Sequence, residues 1–246
     1  MDVCLTNSSS ELGQLAARDI GSALRRVLRN QPHARMIFAA APSQSGMLAA
    51  LIQEPGIDWT RVTAFHMDEY IDLPPSAPQR FGTWLQQAFF SHVPLAEVNI
   101  ISPGPHPDLT CHQYAEKLAA APIDLVLLGI GTNGHLAFND PPANLNDPLA
   151  VRVVTLDTKC REQQVLDGCF PHFDAVPKTA ITLTVPTLLS GRELFCSVPG
   201  AHKSEAVRST LLAPISGNCP STALRNHPRC TLYLDPDSNR LVQTNE

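Results

Sequence analysis

The chain has 246 residues, of which 43% are hydrophobic and 17% are charged, and its net charge is −5. Such a composition can bury a sizeable core, and it argues against both disorder and a basic nucleic-acid-binding surface. No apolar run approaches the ~20 residues of a membrane span, and the first residues lack the basic and apolar regions of a signal peptide.

Along the chain, segments with the apolar spacing of helices alternate with short apolar segments typical of strands. In chain order the pattern predicts helix 10–29, strand 35–40, helix 45–53, strand 61–66, helix 79–91, strand 98–102, helix 108–121, strands 124–130, 151–156, 180–183 and 193–198, helix 201–212 and strand 230–234. The central strands are continuous apolar runs, as in a parallel sheet that is covered on both faces. Because no linker or repeat divides the chain, we predict one doubly wound, Rossmann-like α/β domain over residues 1–246.

In open parallel sheets, ligands bind beyond the carboxyl ends of the strands. Polar residues and glycines follow four of the predicted strands. These segments are "APSQSG" at 41–46, "HMDEY" at 66–70, "LGIGTNGHLAFNDP" at 128–141 and "VPGAHKSEAV" at 198–207. We therefore take them as the candidate site.

Two of these segments are suited to an anion. Ser43, Gln44 and Ser45 precede a helix, whose N-terminal N–H groups and dipole favour phosphate, although the segment lacks the G-K-[ST] of a P-loop. An ordinary strand-to-helix turn would use the same residues. Lys203 lies in the first turn of a helix, where a cation opposes the dipole and a bound anion would explain it. A solvated surface lysine is the alternative.

The other two segments are suited to acid–base chemistry. Asp68 and Glu69 directly follow a core strand, where burial can shift the pKa of a carboxylate, although a surface turn would have the same sequence. Glycines, Gly134 among them, permit a sharp turn that ends in His135. His135 and Asp140 lie five residues apart and could approach each other. A histidine in such a turn is more typical of a functional than of a structural role.

Together these segments resemble the glucosamine-6-phosphate deaminase/isomerase family. The resemblance rests on "HMDEYIDLP", "LGIGTNGHLAFNDP" and "PGAHKSEAV", in this order, and extends from the "APSQSG" loop to the last predicted strand. The related 6-phosphogluconolactonases share the G-H turn but usually lack "MDEY" and "FN[ED]P". The chain is therefore more similar to the deaminases.

The resemblance implies an enzyme that converts a hexosamine 6-phosphate, of glucosamine or galactosamine, to a ketohexose 6-phosphate and ammonia. It assigns the proton shuttle between C2 and C1 to Asp68 and ring opening to His135, with Asp140 in the place of a family glutamate that partners the histidine. It implies neither a metal nor a cofactor. The phosphate would be held by Ser43, Gln44, Ser45 and Lys203, and the pocket would include Glu69 and Gly134.

The chain departs from the family at several of these positions. Asn133 stands where the deaminases generally have aspartate, so the electrostatic surroundings of His135 should differ. Gln164 stands where the family has a phosphate-binding arginine, and Arg161, one helical turn earlier, is the candidate substitute. We therefore expect the chain to belong to a divergent subgroup of the family, with Asn133 among the catalytic residues. The sequence leaves open which hexosamine phosphate is the substrate.

Two other functions are compatible with these residues. A sugar-phosphate lactonase would use His135 on a cyclic ester without requiring Asp68, and a sugar-phosphate sensor would need no catalysis. The expected partner is a small sugar phosphate, with neither nucleic acid nor membrane, and a homo-oligomer is left open. Seven scattered cysteines, none in a C-x-x-C pair, predict a reduced, cytoplasmic protein without disulfides or a zinc site.

Overall fold

The structure, a computed structural model that describes residues 1–242, is built on a parallel sheet. Its strands are β1 (Asp2–Leu5), β2 (Ala34–Phe38), β3 (Val62–His66), β4 (Asp68–Tyr70), β5 (Glu97–Asn99), β6 (Leu125–Leu128), β7 (Val151–Thr155), β8 (Thr179–Leu183), β9 (Glu193–Val198) and β10 (Cys230–Leu234). Seven of them form one sheet in the order β1-β10-β9-β6-β2-β3-β5, and each neighbouring pair is parallel. The predicted parallel α/β architecture is confirmed. The single-domain prediction includes residues 243–246, which lie outside the described residues.

Helices cover both faces of this sheet, as predicted. They are α1 (Ser9–Asn30), α2 (Ser45–Ile52), α3 (Phe81–Leu85), α4 (Pro107–Ala119), α5 (Thr158–Leu166), α6 (Val185–Leu189), α7 (Ser204–Leu212) and α8 (Pro236–Asn239). On one face, α1, α2 and α3 pack in one apolar cluster with β2, and on the other, α4 and α7 pack in a second cluster with β6 and β9. Within residues 1–242, each helix is too short or too polar to cross a bilayer.

Three strands form a separate antiparallel sheet in the order β4-β8-β7. The predicted strands at 151–156 and 180–183 therefore exist but do not join the parallel sheet. Residues 68–70, for which a surface turn was one alternative, are a buried strand in which Asp68 pairs with Thr182. Since an apolar run does not specify its partner strand, the sequence pattern could not separate the two sheets.

Several short elements were not predicted. They are β1, α5, α6 and α8, and the predicted helix 79–91 begins at Phe81 and continues after α3 as a π-helical turn over Gln86–Phe90. The start of α5 does carry a signal, because the side chain of Asp157 accepts a hydrogen bond from the Cys160 N–H at 2.6 Å, as an N-cap does.

The site is positioned by a reversal of strand order between β2 and β6. From β2 the chain moves outward through β3 to β5, whereas from β6 it moves in the opposite direction through β9 to β10. The loops that follow β2 and β6 therefore leave the sheet on opposite sides and open a cleft beyond their carboxyl ends.

Candidate functional site

A cavity lies in this cleft and collects side chains from four strand ends and from α5. Asp68, His135 and Lys203, which the sequence places far apart, all line it. Other lining residues are Ser43, Gln44, Phe81, Phe138, Gln163, Gln164, Asp167 and Cys169.

One end of the cavity has the features of an anion site. Lys203 is 4% exposed and follows Gly200, whose positive φ turns the chain at the end of β9. Burial lowers the pKa of Lys203 to about 8, although the nearby Asp167 opposes this shift. Gln44 is fully buried and donates from Nε2 to the Ser197 carbonyl at 3.1 Å, which ties the loop after β2 to β9. Oε1 of Gln44 has no partner among the described residues.

Asp68 lies at the start of β4, 6% exposed, and lines the cavity. Burial, with a smaller contribution from the neighbouring Glu69, raises the pKa of the Asp68 carboxyl well above its ordinary value. Within residues 1–242 its carboxylate makes no hydrogen bond. A buried carboxyl with a raised pKa is a stronger base than an ordinary aspartate, and it can return the proton that it accepts.

The turn after β6 carries His135 to the cavity. Gly134 has a φ of +84°, and its N–H donates to the Gly131 carbonyl at 2.9 Å, which closes the turn. A Cβ on Gly131 would lie 2.2–2.4 Å from three atoms of the His135 ring, so the ring packs directly on the glycine backbone. Ala137, two residues on, has a φ of +49° and also lines the cavity. Such strained backbone is often found at functional sites.

Asn133 and Asp140 lie behind His135 rather than on the cavity wall. Nδ1 of His135 is buried and lies 3.2 Å from Oδ1 of Asp140, a distance typical of ion pairs. The Asn133 side chain accepts from the His135 N–H at 3.1 Å and donates to Asp140 at 3.2 Å and to Asp157 at 3.4 Å. Asn133 therefore separates two carboxylates and fixes the backbone of the histidine.

Asp140 keeps its charge despite being largely buried. Burial alone would raise the pKa of its carboxyl, but contacts with His135, with the Asp157 N–H at 3.1 Å and with Asn133 outweigh burial and lower the pKa. A carboxylate next to His135 is thus maintained.

Aromatic rings and two glutamines form another wall. Phe81 stacks on Phe138 with ring centroids 5.4 Å apart, and Tyr70 packs behind them. The Tyr70 hydroxyl donates to Oε1 of Gln164 at 2.7 Å, so the residue that replaces the family arginine is held in place. Gln163 accepts hydrogen bonds from the N–H and hydroxyl of Thr132, at 2.8 and 3.0 Å.

Besides Asn133 and Asp140, four residues expected at the site do not line the cavity. Ser45 is exposed on α2, and Gly134 forms the turn while its carbonyl accepts from Ser221. The carboxylate of Glu69 is fully buried and accepts three backbone N–H groups, two of them at the start of α3, which it anchors. Arg161 donates to the carbonyls of Phe173 and Val176 and stacks on the Phe173 ring, so its guanidinium is engaged away from the cavity.

Residues of α5 and the segments that flank it were missed as part of the site. Gln163, Asp167 and Cys169 line the cavity, and Asp157 and Cys160 lie behind His135. The apolar pattern of residues 158–166 is weak, which is why no helix was predicted there. The N-cap signal at Asp157 would have revealed it.

Residues 7–232 match the family described as "Glucosamine-6-phosphate isomerases/6-phosphogluconolactonase". The chain is 32% identical over 249 aligned residues to a protein named glucosamine-6-phosphate deaminase from Halothermothrix orenii, with 98% of this chain and 100% of the relative covered. It is 29% identical to a protein of the same name from Bacillus cereus, with 97% and 88% covered.

Solved structures have the same fold. One described as a monomeric glucosamine-6-phosphate deaminase has a TM-score of 0.90 and 29% identity, with 98% of this chain and 100% of that chain covered. A 6-phosphogluconolactonase from Thermotoga maritima has a TM-score of 0.76 at 16% identity, with 95% and 98% covered. The likeness to this second structure concerns the fold alone.

Proposed function

Because the chain belongs to the family of glucosamine-6-phosphate isomerases and 6-phosphogluconolactonases, we propose that it is a hexosamine-6-phosphate deaminase. It converts an amino-sugar 6-phosphate and water to a ketohexose 6-phosphate and ammonia. The observation that carries this proposal is the buried Asp68 carboxyl, with its raised pKa, in the same cavity as His135 and Lys203. A lactonase needs no carboxyl that moves a proton between carbon atoms, so Asp68 favours the deaminase.

The reaction begins with opening of the sugar ring. His135 takes the proton from the C1 hydroxyl and passes it to the ring oxygen as the bond between C1 and the ring oxygen breaks, which leaves an aldehyde at C1. Asp140, charged and 3.2 Å from Nδ1, stabilises the imidazole while it carries charge. Asn133 acts through these two residues, because it contacts them and does not line the cavity.

Asp68 then moves the proton that changes the aldose into the ketose. It removes the proton from C2 and returns it to C1. The C1 oxygen takes up a proton and the C2 amine loses one, so that C1 becomes a hydroxymethyl group and C2 an imine. Water hydrolyses the imine, and ammonia leaves. A carboxyl with a raised pKa suits both halves of the transfer, since it is a stronger base than an ordinary aspartate and a usable acid afterwards.

The phosphate binds at the opposite end of the cavity. Lys203 supplies the charge, Ser43 supplies a hydroxyl donor, and Gln44 lines the same end of the cavity. Asp167 near Lys203 and Gln164 in place of an arginine make this end less positive than the family pattern implies. The site therefore relies on a single buried cation.

A panel of four compounds tests the proposal. Glucosamine 6-phosphate or galactosamine 6-phosphate should yield one ammonia for each ketohexose phosphate formed, whereas glucosamine without phosphate should be a poor substrate. Hydrolysis of 6-phosphogluconolactone without ammonia release from either amino sugar would identify a lactonase. Calorimetric binding of the amino-sugar phosphates without turnover would identify a sensor.

We also propose a cytoplasmic location, which the seven cysteines support because none of them, all within residues 1–242, forms a disulfide. Light scattering of the purified protein would measure its mass in solution and test for the homo-oligomer that the sequence leaves open.

A further inference from the structure

Three side chains, one on the cavity wall and two behind it, bring together a nitrogen, an oxygen and a sulfur donor. They are His135, Asp140 and Cys160, and their donor atoms all lie within 4.8 Å of one another. Cys160 is fully buried in the first turn of α5. The N-cap of this helix, Asp157, accepts a hydrogen bond from the Asn133 side chain, which in turn accepts one from the His135 N–H. Two segments that are distant in sequence thus meet at this cluster.

The second observation concerns Nδ1 of His135. This atom is buried, and no hydrogen-bond partner for it occurs among the described residues, although Oδ1 of Asp140 lies 3.2 Å away. A ring nitrogen without an aligned partner is available to a cation that sits between the nitrogen, the carboxylate and the sulfur.

We propose that His135, Asp140 and Cys160 bind a zinc ion that inhibits the enzyme. The inhibition, unlike the binding, rests on the proposed role of His135 in ring opening. Imidazole, carboxylate and thiolate are all zinc ligands, whereas magnesium and calcium do not take thiolate. Zinc bonds of about 2.0–2.3 Å place neighbouring ligands of a tetrahedral site about 3.3–3.8 Å apart. The three donors therefore need to move by only about 1 Å.

Binding changes the protonation of the ligands in a defined way. The Cys160 thiol gives its proton to solvent, and the imidazole carries its one proton on Nε2 while Nδ1 bonds to the ion. His135 then cannot take up a second proton, so it cannot alternate between base and acid during ring opening. Water would fill the fourth position of the ion. Zinc should lower kcat, and chelation should restore it.

Cobalt is the probe that does not depend on turnover. Titration of the metal-free protein with Co²⁺ should give one binding site per chain and a near-ultraviolet thiolate-to-cobalt band. The band should persist in Cys169→Ser, because Cys169 lines the same cavity but lies outside the cluster. It should be lost in Cys160→Ser, which keeps a similar volume. A wild-type protein that binds no cobalt, or a Cys160→Ser protein that keeps the band, would overturn the site.

Inhibition is measured on the same proteins with the best amino-sugar phosphate. Removing even an outer partner of a metal ligand typically costs about 10–100-fold in affinity, so loss of the thiolate should raise the inhibitory zinc concentration by about tenfold or more. The activity of each variant without added zinc serves as its own reference, and Cys169→Ser should keep wild-type sensitivity. Equal zinc sensitivity of wild type and Cys160→Ser overturns the proposal. Because the cobalt band needs no substrate, it still tests the site if the proposed deaminase activity is absent.

Discussion

Asp68 combines a cost in stability with a role in catalysis. Its pKa is raised in the folded state by burial, so the wild-type protein loses stability as the pH rises through that pKa and its carboxyl becomes charged. Asp68→Asn removes this cost and the proton shuttle together. We expect ammonia release to fall by about 10²–10⁴-fold and the free energy of unfolding to rise by about 0.5–2 kcal/mol at pH 8.

Urea unfolding of both proteins across a pH series checks this prediction. The stability difference should grow with pH and should be small at pH 4, where the wild-type carboxyl is protonated. A variant that is inactive but no more stable than wild type at pH 8 would mean that the Asp68 charge is well solvated by the cavity.

Asn133 is the departure from the family that the structure explains most directly. Asn133→Asp would place a third carboxylate beside Asp140 and Asp157 and would remove the two hydrogen bonds that the amide donates. We expect kcat to fall by about tenfold and the melting temperature to fall by several degrees. The loss should shrink as the pH falls, because protonation of one carboxylate relieves the repulsion.

Thermal unfolding and kcat at pH 5 and pH 8 measure this effect. Asn146→Asp, at an exposed position, is the matched control and should behave as wild type. Wild-type stability and kcat in Asn133→Asp would indicate that the residue only forms the turn.

At the scale of elements, the loops after β2 and β9 form the phosphate end of the cavity around one cation. Lys203→Ala should raise KM by about one to two decades, since a charge-assisted contact to phosphate is worth about 1.5–3 kcal/mol. Because the pKa of Lys203 is lowered to about 8, the ammonium of the free enzyme is lost above that pH and the wild-type KM should rise there.

Steady-state kinetics from pH 6.5 to 9.5 would separate these effects. The Lys203→Ala protein should have a high KM without the additional rise above pH 8, and Lys178→Ala, at an exposed lysine, should match wild type. An unchanged KM for Lys203→Ala would remove this lysine from the phosphate site.

The turn after β6 depends on the absence of a side chain at Gly131. A Cβ there would overlap the His135 ring, so Gly131→Ala must displace the ring from the cavity. We expect kcat to fall by about tenfold or more with little change in KM, because the phosphate contacts are remote from the turn. Gly104→Ala, where a Cβ meets only open space, is the control. Equal loss of activity in both variants would contradict the steric explanation.

At the scale of the whole molecule, Arg161 connects α5 to the segment before β8. Its guanidinium donates to the carbonyls of Phe173 and Val176 and stacks on the Phe173 ring at 3.9 Å. Arg161→Ala leaves the buried Val176 carbonyl without its donor, removes one of the two donors to the Phe173 carbonyl and removes the contact with the Phe173 ring, so we expect a loss of about 2–4 kcal/mol in the free energy of unfolding.

Urea denaturation gives the loss in stability, and KM gives the role in binding. KM should stay within about twofold of wild type at a temperature where the variant is folded. An increase in KM as large as that of Lys203→Ala would place Arg161 at the phosphate after all.

The sequence by itself determined the alternation of strands and helices, the parallel sheet and the segments that meet at its carboxyl edge. These features follow from the local period of apolar residues and from motifs that lie within a few neighbouring positions. Asp68, His135 and Lys203 were found for this reason, and all three line one cavity. That residues 1–246 form a single domain stays a prediction.

Only the tertiary structure decided which strands form the separate antiparallel sheet, which groups the side chains of Arg161 and Glu69 contact, and which two carboxylates Asn133 lies between. Each of these outcomes is a contact between residues remote in sequence, such as the pairing of Asp68 with Thr182 or the hydrogen bond from Asn133 to Asp157. A residue's type fixes which hydrogen bonds and charges it can offer, but the partner that accepts them is chosen by packing of the whole chain. For that reason the sequence identified the chemistry, whereas the fold decided which side chains perform it and which hold them in place.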